Sequence, residues 1–104
     1  MKLWIDDVRI PPCDGWIHCR TVHEAKAAVN FYERQLSDDA IILDLDHDAG
    51  EYVNDGGDYI ELLKWLEEEC LPDTGYTFHI HSMNPVGVAN MRAIIEHNGW
   101  KEIK

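Results

Sequence analysis

Short apolar runs alternate with amphipathic stretches along the whole chain, and this alternation constrains the fold more than any other feature of the sequence. The runs are short and rich in aromatic and β-branched residues, which is typical of strands. Strands that alternate with helices favour a mostly parallel sheet with helices packed on its faces. The predicted strands are residues 2–5, 16–19, 40–43, 76–82 and 100–103.

Start signals for three helices lie between these runs. Thr21 and Glu24 match a capping box, in which the first residue caps the helix and the fourth residue bonds back to it. Asp58 precedes a second amphipathic stretch, and Asn84 and Pro85 supply the N-cap and first-turn proline of a third. The predicted order is therefore β, β, α, β, α, β, α, β.

Length and composition indicate one domain over residues 1–104. At this size folding buries roughly 60–70% of the surface of the unfolded chain, so a single core is sufficient. No apolar run approaches the roughly 20 residues of a membrane span, and no signal peptide is evident, so we expect a cytoplasmic protein without membrane contact. Cys13, Cys19 and Cys70 lack zinc-ribbon spacing and are expected to be reduced thiols.

The net charge limits the classes of partner. Nine Lys and Arg residues against 20 Asp and Glu residues give −11 at pH 7. Binding to duplex nucleic acid depends largely on cationic side chains, so a duplex is not an expected partner. A divalent cation held by the acids would instead attract a small phosphorylated ligand.

Acidic and histidine residues follow three of the predicted strands. In an open parallel sheet, ligands bind beyond the carboxyl ends of the strands. Carboxylates that meet there suit Mg²⁺ or Mn²⁺, although adjacent acids also occur as simple solvated strand ends. The residues at these strand ends are Asp6, Asp7, Asp46, His47, Asp48, His81 and Ser82.

Asp44, His79 and Arg9 each admit two interpretations. Asp44 is either a buried partner of a neighbouring helix or a metal ligand deeper in its strand. His79 lies two residues from His81, so it is either a hydrogen-bonded core histidine or part of a zinc site with His47 and His81. Arg9 either binds a phosphate oxygen or forms a surface ion pair.

Three sequence blocks resemble the cyclic-phosphate processing receiver domain family, a relative of two-component receiver domains. The blocks are Trp4-Ile5-Asp6-Asp7-Val8-Arg9, Leu45-Asp46-His47-Asp48 and His81-Ser82-Met83-Asn84-Pro85. The resemblance implies a three-layer, receiver-like (flavodoxin-like) α/β fold with helices on both faces of the sheet. The first receiver helix is expected to be reduced to a loop from Pro11 to Gly15.

The resemblance also implies a functional site. Its metal ligands would be Asp6, Asp7 and Asp46, with Mg²⁺ or Mn²⁺ preferred and Zn²⁺ as the alternative. The catalytic residues around the phosphate would be His47, His81, Asp48 and Ser82, and the ligand-binding residues would be Arg9 and Asn84.

Two functions follow from this reading. The first is a metal-assisted phosphoesterase that opens cyclic phosphates of nucleotide or RNA-end origin, in which His47 and His81 transfer protons. The second is a receiver-like module that binds a metal or phosphorylated ligand, or is phosphorylated on Asp46, and contacts an unnamed partner protein. The lysine that follows the fifth strand in receivers has no clear counterpart, since Lys101 and Lys104 lie in or beyond a short terminal strand.

Overall fold

The computed structural model describes residues 1–33, 41–69 and 76–103. Its strands alternate with helices in the predicted order, with one short 3₁₀ helix, Gly50–Tyr52, after the third strand. The strands are β1 (Lys2–Ile5), β2 (Ile17–Cys19), β3 (Ile42–Leu45), β4 (Thr77–Ile80) and β5 (Lys101–Glu102). The helices are α1 (Val22–Glu33), α2 (Ile60–Glu69) and α3 (Pro85–His97).

The described strands form one sheet of five strands in the order β2-β1-β3-β4-β5. Every neighbouring pair in this sheet is parallel. Parallel strands need crossover connections, and three of the four connections here contain a helix. This architecture confirms the receiver-like α/β class.

The three helices pack on one face of the sheet. The connections β2 to β3, β3 to β4 and β4 to β5 all move in the same direction across the sheet, and right-handed crossovers in one direction bring their helices to one face. Side chains of all three helices join alternate strand residues, among them Leu3, Leu43 and Phe78, in a single core. Only the connection from β1 to β2 runs the other way, and it is the loop expected around Pro11 to Gly15.

The resemblance implies a second helix layer on the opposite face of the sheet, and the structure differs from this expectation. Among the described residues no helix packs on it, because the one reversed connection contains no helix. We call this surface the open face. It is formed by the strand residues that alternate with the core residues, namely Lys2, Trp4, Ile42, Asp44, Thr77 and His79.

Local helix signals are confirmed in detail. The Glu24 backbone N–H donates to Thr21 Oγ1 at 3.0 Å. Asn84 caps α3, since its side-chain oxygen accepts from the Gly87 N–H at 3.0 Å. Strand β3 pairs with β1 and β4 as far as Leu45, two residues beyond the predicted end at residue 43, so Asp44 lies within the strand. Residue 40 of the predicted strand lies outside the described residues.

Cys13 is exposed and Cys19 is buried, and both are free thiols, as expected. Burial raises the pKa of Cys19 to about 11, and the nearby charge of Glu24 adds to this shift. Cys70 lies outside the described residues. Within the described parts of the chain, no helix has the length and apolarity needed to cross a membrane.

Candidate functional site

Three carboxylates meet where β1 and β3 end. Asp6 and Asp7 follow β1, and Asp46 follows β3, which is the neighbouring strand. Each of the three offers an oxygen atom, and these oxygens lie within 4.8 Å of one another. Carboxylate oxygens are the ligands that Mg²⁺ and Mn²⁺ prefer, so the donor set fits such an ion.

Asp6 is the buried member of this group, with 1% of its surface exposed. Its Oδ1 accepts hydrogen bonds from the backbone N–H of Val8 at 2.9 Å and of Arg9 at 3.0 Å. Its Oδ2 lies 2.8 Å from Nε2 of His81. Burial would raise the pKa of Asp6, but the hydrogen bonds together outweigh burial and lower that pKa. Asp6 is therefore held as a carboxylate.

The pKa of Asp7 is shifted in the opposite direction from that of Asp6. Burial raises the pKa of Asp7, and the negative charges of Asp6 and Asp46 raise it further. The 3₁₀ helix approaches the Asp7 carboxylate so closely that a Cβ at Gly50 would collide with it, and Gly50 has a φ of +56°. A cation between the three acids would relieve this repulsion.

His81 bridges two buried acids from different strands. Its Nε2 faces Asp6, and its Nδ1 lies 2.6 Å from Oδ1 of Asp44. An ionised carboxylate only accepts hydrogen bonds, so both ring nitrogens carry protons when both acids are ionised. Burial would lower the pKa of His81, but its hydrogen bonds to Asp44 and Asp6 outweigh burial and raise it. The two carboxylates therefore favour the doubly protonated, cationic ring.

Asp44 is the second acid of this bridge, and it matches neither sequence interpretation. The residue is 9% exposed, and it accepts from Nδ1 of both His81 and His79 at one oxygen. Burial would raise the pKa of Asp44, but the hydrogen bonds from the two histidines outweigh burial and lower it. Asp44 therefore forms hydrogen bonds with histidines in and just after the neighbouring strand β4, and not with a helix. It is not in the group of acids with Asp46.

Trp4 and Arg9 both contact His81. The Trp4 indole stacks on the imidazole, with ring centroids 4.2 Å apart and an angle of 6° between the planes. Trp4 Nε1 donates to the backbone carbonyl of Arg9 at 2.9 Å. The Arg9 guanidinium reaches the backbone carbonyl of His81 at 3.4 Å. Arg9 therefore lies at this edge, where the sequence places it as a ligand-binding residue.

His47, Asp48 and Asn84 form a second cluster at the same edge. His47 Nδ1 lies 2.8 Å from Oδ1 of Asp48, and the Asn84 amide donates to the same oxygen at 3.4 Å. A Cβ at Gly87 would collide with the His47 ring, so the first turn of α3 presses directly on that ring. Ser82 accepts from the Asn84 backbone N–H at 3.1 Å, which makes it part of the turn that precedes α3.

A second group of metal-capable side chains consists of His47, Asp48 and Asp58. The sequence predicts only a helix cap at Asp58, but the Asp58 Oδ1 accepts from the Ala49 N–H at 3.0 Å and the side chain lies beside His47. The predicted zinc set of His47, His79 and His81 is not among the metal-capable groups of the described residues, because His79 and His81 both face Asp44.

Three features of the site were missed at the sequence level. Alternation along β3 and β4 placed Asp44, His79 and His81 on one side of their strands, but only the register makes them partners. The stack of Trp4 on His81 follows from the same register, since Trp4, Asp44 and His79 are aligned across three strands. The role of Asp58 depends on the path of a loop and has no sequence signal.

The fold and the site together define a receiver-like domain whose strand ends gather carboxylates and histidines. The sequence model of the family described as "cyclic-phosphate processing receiver domain" matches residues 1–97, nearly the whole chain. The chain therefore belongs to the cyclic-phosphate processing receiver domain family. Searches of curated proteins and of solved structures found no match.

Proposed function

We propose that this chain is a metal-dependent phosphoesterase that hydrolyses cyclic phosphates of nucleotide or RNA-end origin. The observation that carries the proposal is the convergence of the Asp6, Asp7 and Asp46 oxygens within 4.8 Å, beside the His81 bridge. Membership of the family links the chain to cyclic-phosphate processing. The metal would be Mg²⁺ or Mn²⁺, with Zn²⁺ as the alternative.

In the proposed reaction, water adds to phosphorus and one ring P–O bond breaks. The released ribose oxygen takes up a proton, and the product is a phosphomonoester. When bound, a divalent cation would supply Lewis acidity at the phosphate. Asp6, Asp7 and Asp46 hold the cation in this scheme, and Arg9 and Asn84 orient phosphate oxygens.

We assign proton transfer to His47. Its Nδ1 is turned toward Asp48, which leaves Nε2 as the nitrogen that exchanges a proton with water or the leaving oxygen. His81 has both ring nitrogens turned to carboxylates, so we give it a positioning role on Asp6 rather than the proton transfer expected from the sequence. Ser82 positions the turn that carries Asn84.

The test is release of opened product from a panel of 2′,3′- and 3′,5′-cyclic nucleotides with Mg²⁺, Mn²⁺ or Zn²⁺. The proposal expects turnover that depends on the metal and is lost in Asp46→Asn and in His47→Asn. His23→Asn is a matched control, because His23 also pairs with an aspartate, Asp55, at 2.6 Å but is exposed and belongs to neither metal-capable group of the described residues.

The second candidate is a receiver-like module without turnover. It would be favoured by a folded protein that binds metal, opens none of the cyclic phosphates and takes up phosphate stoichiometrically on Asp46. In that case Asp46→Asn would abolish phosphate uptake, and His47→Asn would leave it intact.

A further inference from the structure

The open face of the sheet is apolar as well as uncovered. All-parallel sheets occur almost only with both faces covered, since their crossover helices pack there. Among the described residues no helix packs on the open face. It nevertheless carries large apolar side chains: Trp16 and Ile42 are partly buried, and Ile103 is 45% exposed. Apolar surface on an uncovered sheet face indicates a binding site for another structure.

A cavity of about 310 Å³ lies on this face, and almost all of its surface is apolar. A dry cavity of roughly 150 Å³ is enough to bind benzene, so this one has room for a large aliphatic or aromatic side chain. Among its polar residues, Asp44 and His79 are bonded to each other, with Asp44 Oδ1 and His79 Nδ1 2.9 Å apart. The occupant therefore needs an apolar group here. The lining residues are Lys2, Trp16, Ile42, Asp44, His79 and Ile103.

The charges of the open face differ from those of the chain as a whole. Lys2 and Lys101 stand at the two ends of one row of aligned residues that runs through Ile42 and Thr77. Asp44 is the one carboxylate on this side of the described strands, and it already accepts hydrogen bonds from two histidines. Both lysines are exposed, and within the described parts of the chain neither forms an ion pair. A chain of net charge −11 thus presents two cations without a carboxylate partner on this face.

The spacing of these two lysines fits the width of a helix. They are separated by three strand spacings, so their Cα atoms lie about 14 Å apart. A helix with its side chains is about 10–12 Å wide, so a helix that lies along β3 and β4 would have a lysine on each flank. The cavity lies in the same part of the face, because its residues Ile42 and His79 belong to β3 and β4. Helices pack on the faces of parallel sheets, whereas an added strand would bind at an edge.

We propose that the open face binds an acidic amphipathic α-helix of a partner protein. One large apolar side chain of that helix fills the cavity, and acidic side chains on both flanks of its apolar stripe pair with Lys2 and Lys101. The charge of the rest of the chain is screened beyond about 8 Å at physiological ionic strength, so the two nearby lysines select the charge of the partner. A second copy of this chain fits less well, because the described strands of its open face would bring two further lysines and no unpaired carboxylate. The inference does not rest on the proposed function, because this surface is a sheet face and not the strand ends.

The test is an NMR titration of the ¹⁵N-labelled full chain with two designed peptides in EDTA, which separates it from the metal-dependent hydrolysis assay. The acidic peptide has about 15 residues, a length at which isolated helices begin to form, with leucines at i, i+3, i+4 and i+7 and glutamates on both flanks. The basic peptide has lysine in place of each glutamate, and the net charge of the chain would favour it if the open face had no local selectivity. We expect saturable shifts at Lys2, Ile42 and Ile103 with the acidic peptide, and binding about tenfold tighter than that of the basic peptide.

Two pairs of matched variants locate the binding. Ile103 and Ile17 lie at opposite edges of the sheet and are 45% and 48% exposed, but Ile17 is aligned with the core residue Leu3 and so faces the helix layer. Ile103→Glu should weaken binding of the acidic peptide roughly tenfold or more, and Ile17→Glu should leave it unchanged. Lys2 and Lys26 each lie over a tryptophan ring, at 5.6 Å and 5.7 Å from its centroid, but Lys26 belongs to α1. Lys2→Gln should weaken binding about threefold to fivefold, and Lys26→Gln should not.

Weaker binding in Ile103→Glu and Lys2→Gln, with both controls unchanged, would support the proposal. If Ile103→Glu fails to fold, the pair Lys2→Gln and Lys26→Gln carries the test, because both changes remove only an ammonium group's charge from the surface. Any of four results would overturn the proposal: no saturable shifts with the acidic peptide, binding of the basic peptide at least as tight, equal weakening by the control variants, or a dimer of the free chain in sedimentation that Ile103→Glu dissociates. The last result would assign the open face to a second copy of this chain.

Discussion

The rings of Trp4 and His81 lie parallel, with 4.2 Å between their centroids and 6° between their planes. This stack holds an imidazole whose two nitrogens face Asp6 and Asp44. The face of the ring is covered by an aromatic side chain, and its edge is held by two acids. These contacts hold the imidazole in one position. Through them, His81 links Asp44 on the open face of the sheet to Asp6 at the strand ends.

The first prediction concerns the bridge itself. His81→Gln should lower the free energy of unfolding by about 3 kcal/mol, because it removes a cation from between two buried carboxylates. His23→Gln is the control, since His23 and Asp55 form an exposed pair with side chains 63% and 56% exposed, and such pairs contribute little. Urea unfolding of both variants would measure the difference, and equal losses would contradict the bridge.

A pH dependence follows from the raised pKa of His81. A raised folded-state pKa gives stability that is full below the unfolded value of about 6.5 and is lost as pH rises through the folded value. Asp6 and Asp44 have lowered pKa values, so their contribution is lost only as pH falls into the acid range. In EDTA, the wild type should therefore lose stability as pH rises above about 6.5. The loss should be absent in His81→Gln and retained in His23→Gln.

Asp46→Asn should raise the stability of the metal-free protein and reduce the stabilisation that metal provides. Without metal it removes a negative charge that raises the pKa of Asp7, so the melting temperature should rise. With Mg²⁺ or Mn²⁺ at 100 times its dissociation constant, the wild type should gain about 2.7 kcal/mol and the variant should gain far less. Glu68→Gln, on the exposed side of α2, is a control for the loss of one charge. An equal metal response in all three proteins would contradict a site at Asp46.

Gly87→Ala tests the contact between α3 and His47. Alanine favours helices over glycine by about 1 kcal/mol, but its Cβ would collide with the imidazole and displace it. We expect a folded protein whose His47 ring signals shift and whose turnover, if the proposed activity holds, falls at least tenfold. Val86→Ala, one residue earlier on an exposed position, should change neither quantity. Unshifted His47 signals in Gly87→Ala would show that the helix start does not position this ring.

Two variants of Trp4 separate its stack from its hydrogen bond. Trp4→Phe keeps an aromatic ring over His81 but loses the bond from Nε1 to the Arg9 carbonyl, at a cost of about 1 kcal/mol. Trp4→Leu loses both contacts and should cost more. Hydrogen exchange should report faster opening of the backbone around Arg9 in both variants. Equal stability of the two variants would mean that the stack of Trp4 on His81 does not contribute to the free energy of unfolding.

Much of the fold was predictable because its signals are local. The capping residues Thr21 and Asn84 begin their helices through contacts only three residues away. The carboxylates Asp6, Asp7 and Asp46 could be expected together, because parallel strands present their carboxyl ends at one edge. These predictions needed only the order of the elements, and that order follows from the apolar pattern.

The tertiary structure alone decided which residues are partners. Asp44 faces His79 because β3 and β4 pair in one register, and a shift by one residue would have turned Asp44 toward the core. The absence of helices from the open face, among the described residues, depends on the direction of each crossover. No local sequence pattern predicts that direction. The sequence by itself determined the elements and the edge that holds the acids, since both arise from short-range periodicity. The His81 bridge arises from contacts between residues far apart in the chain, and only the folded sheet brings those residues together.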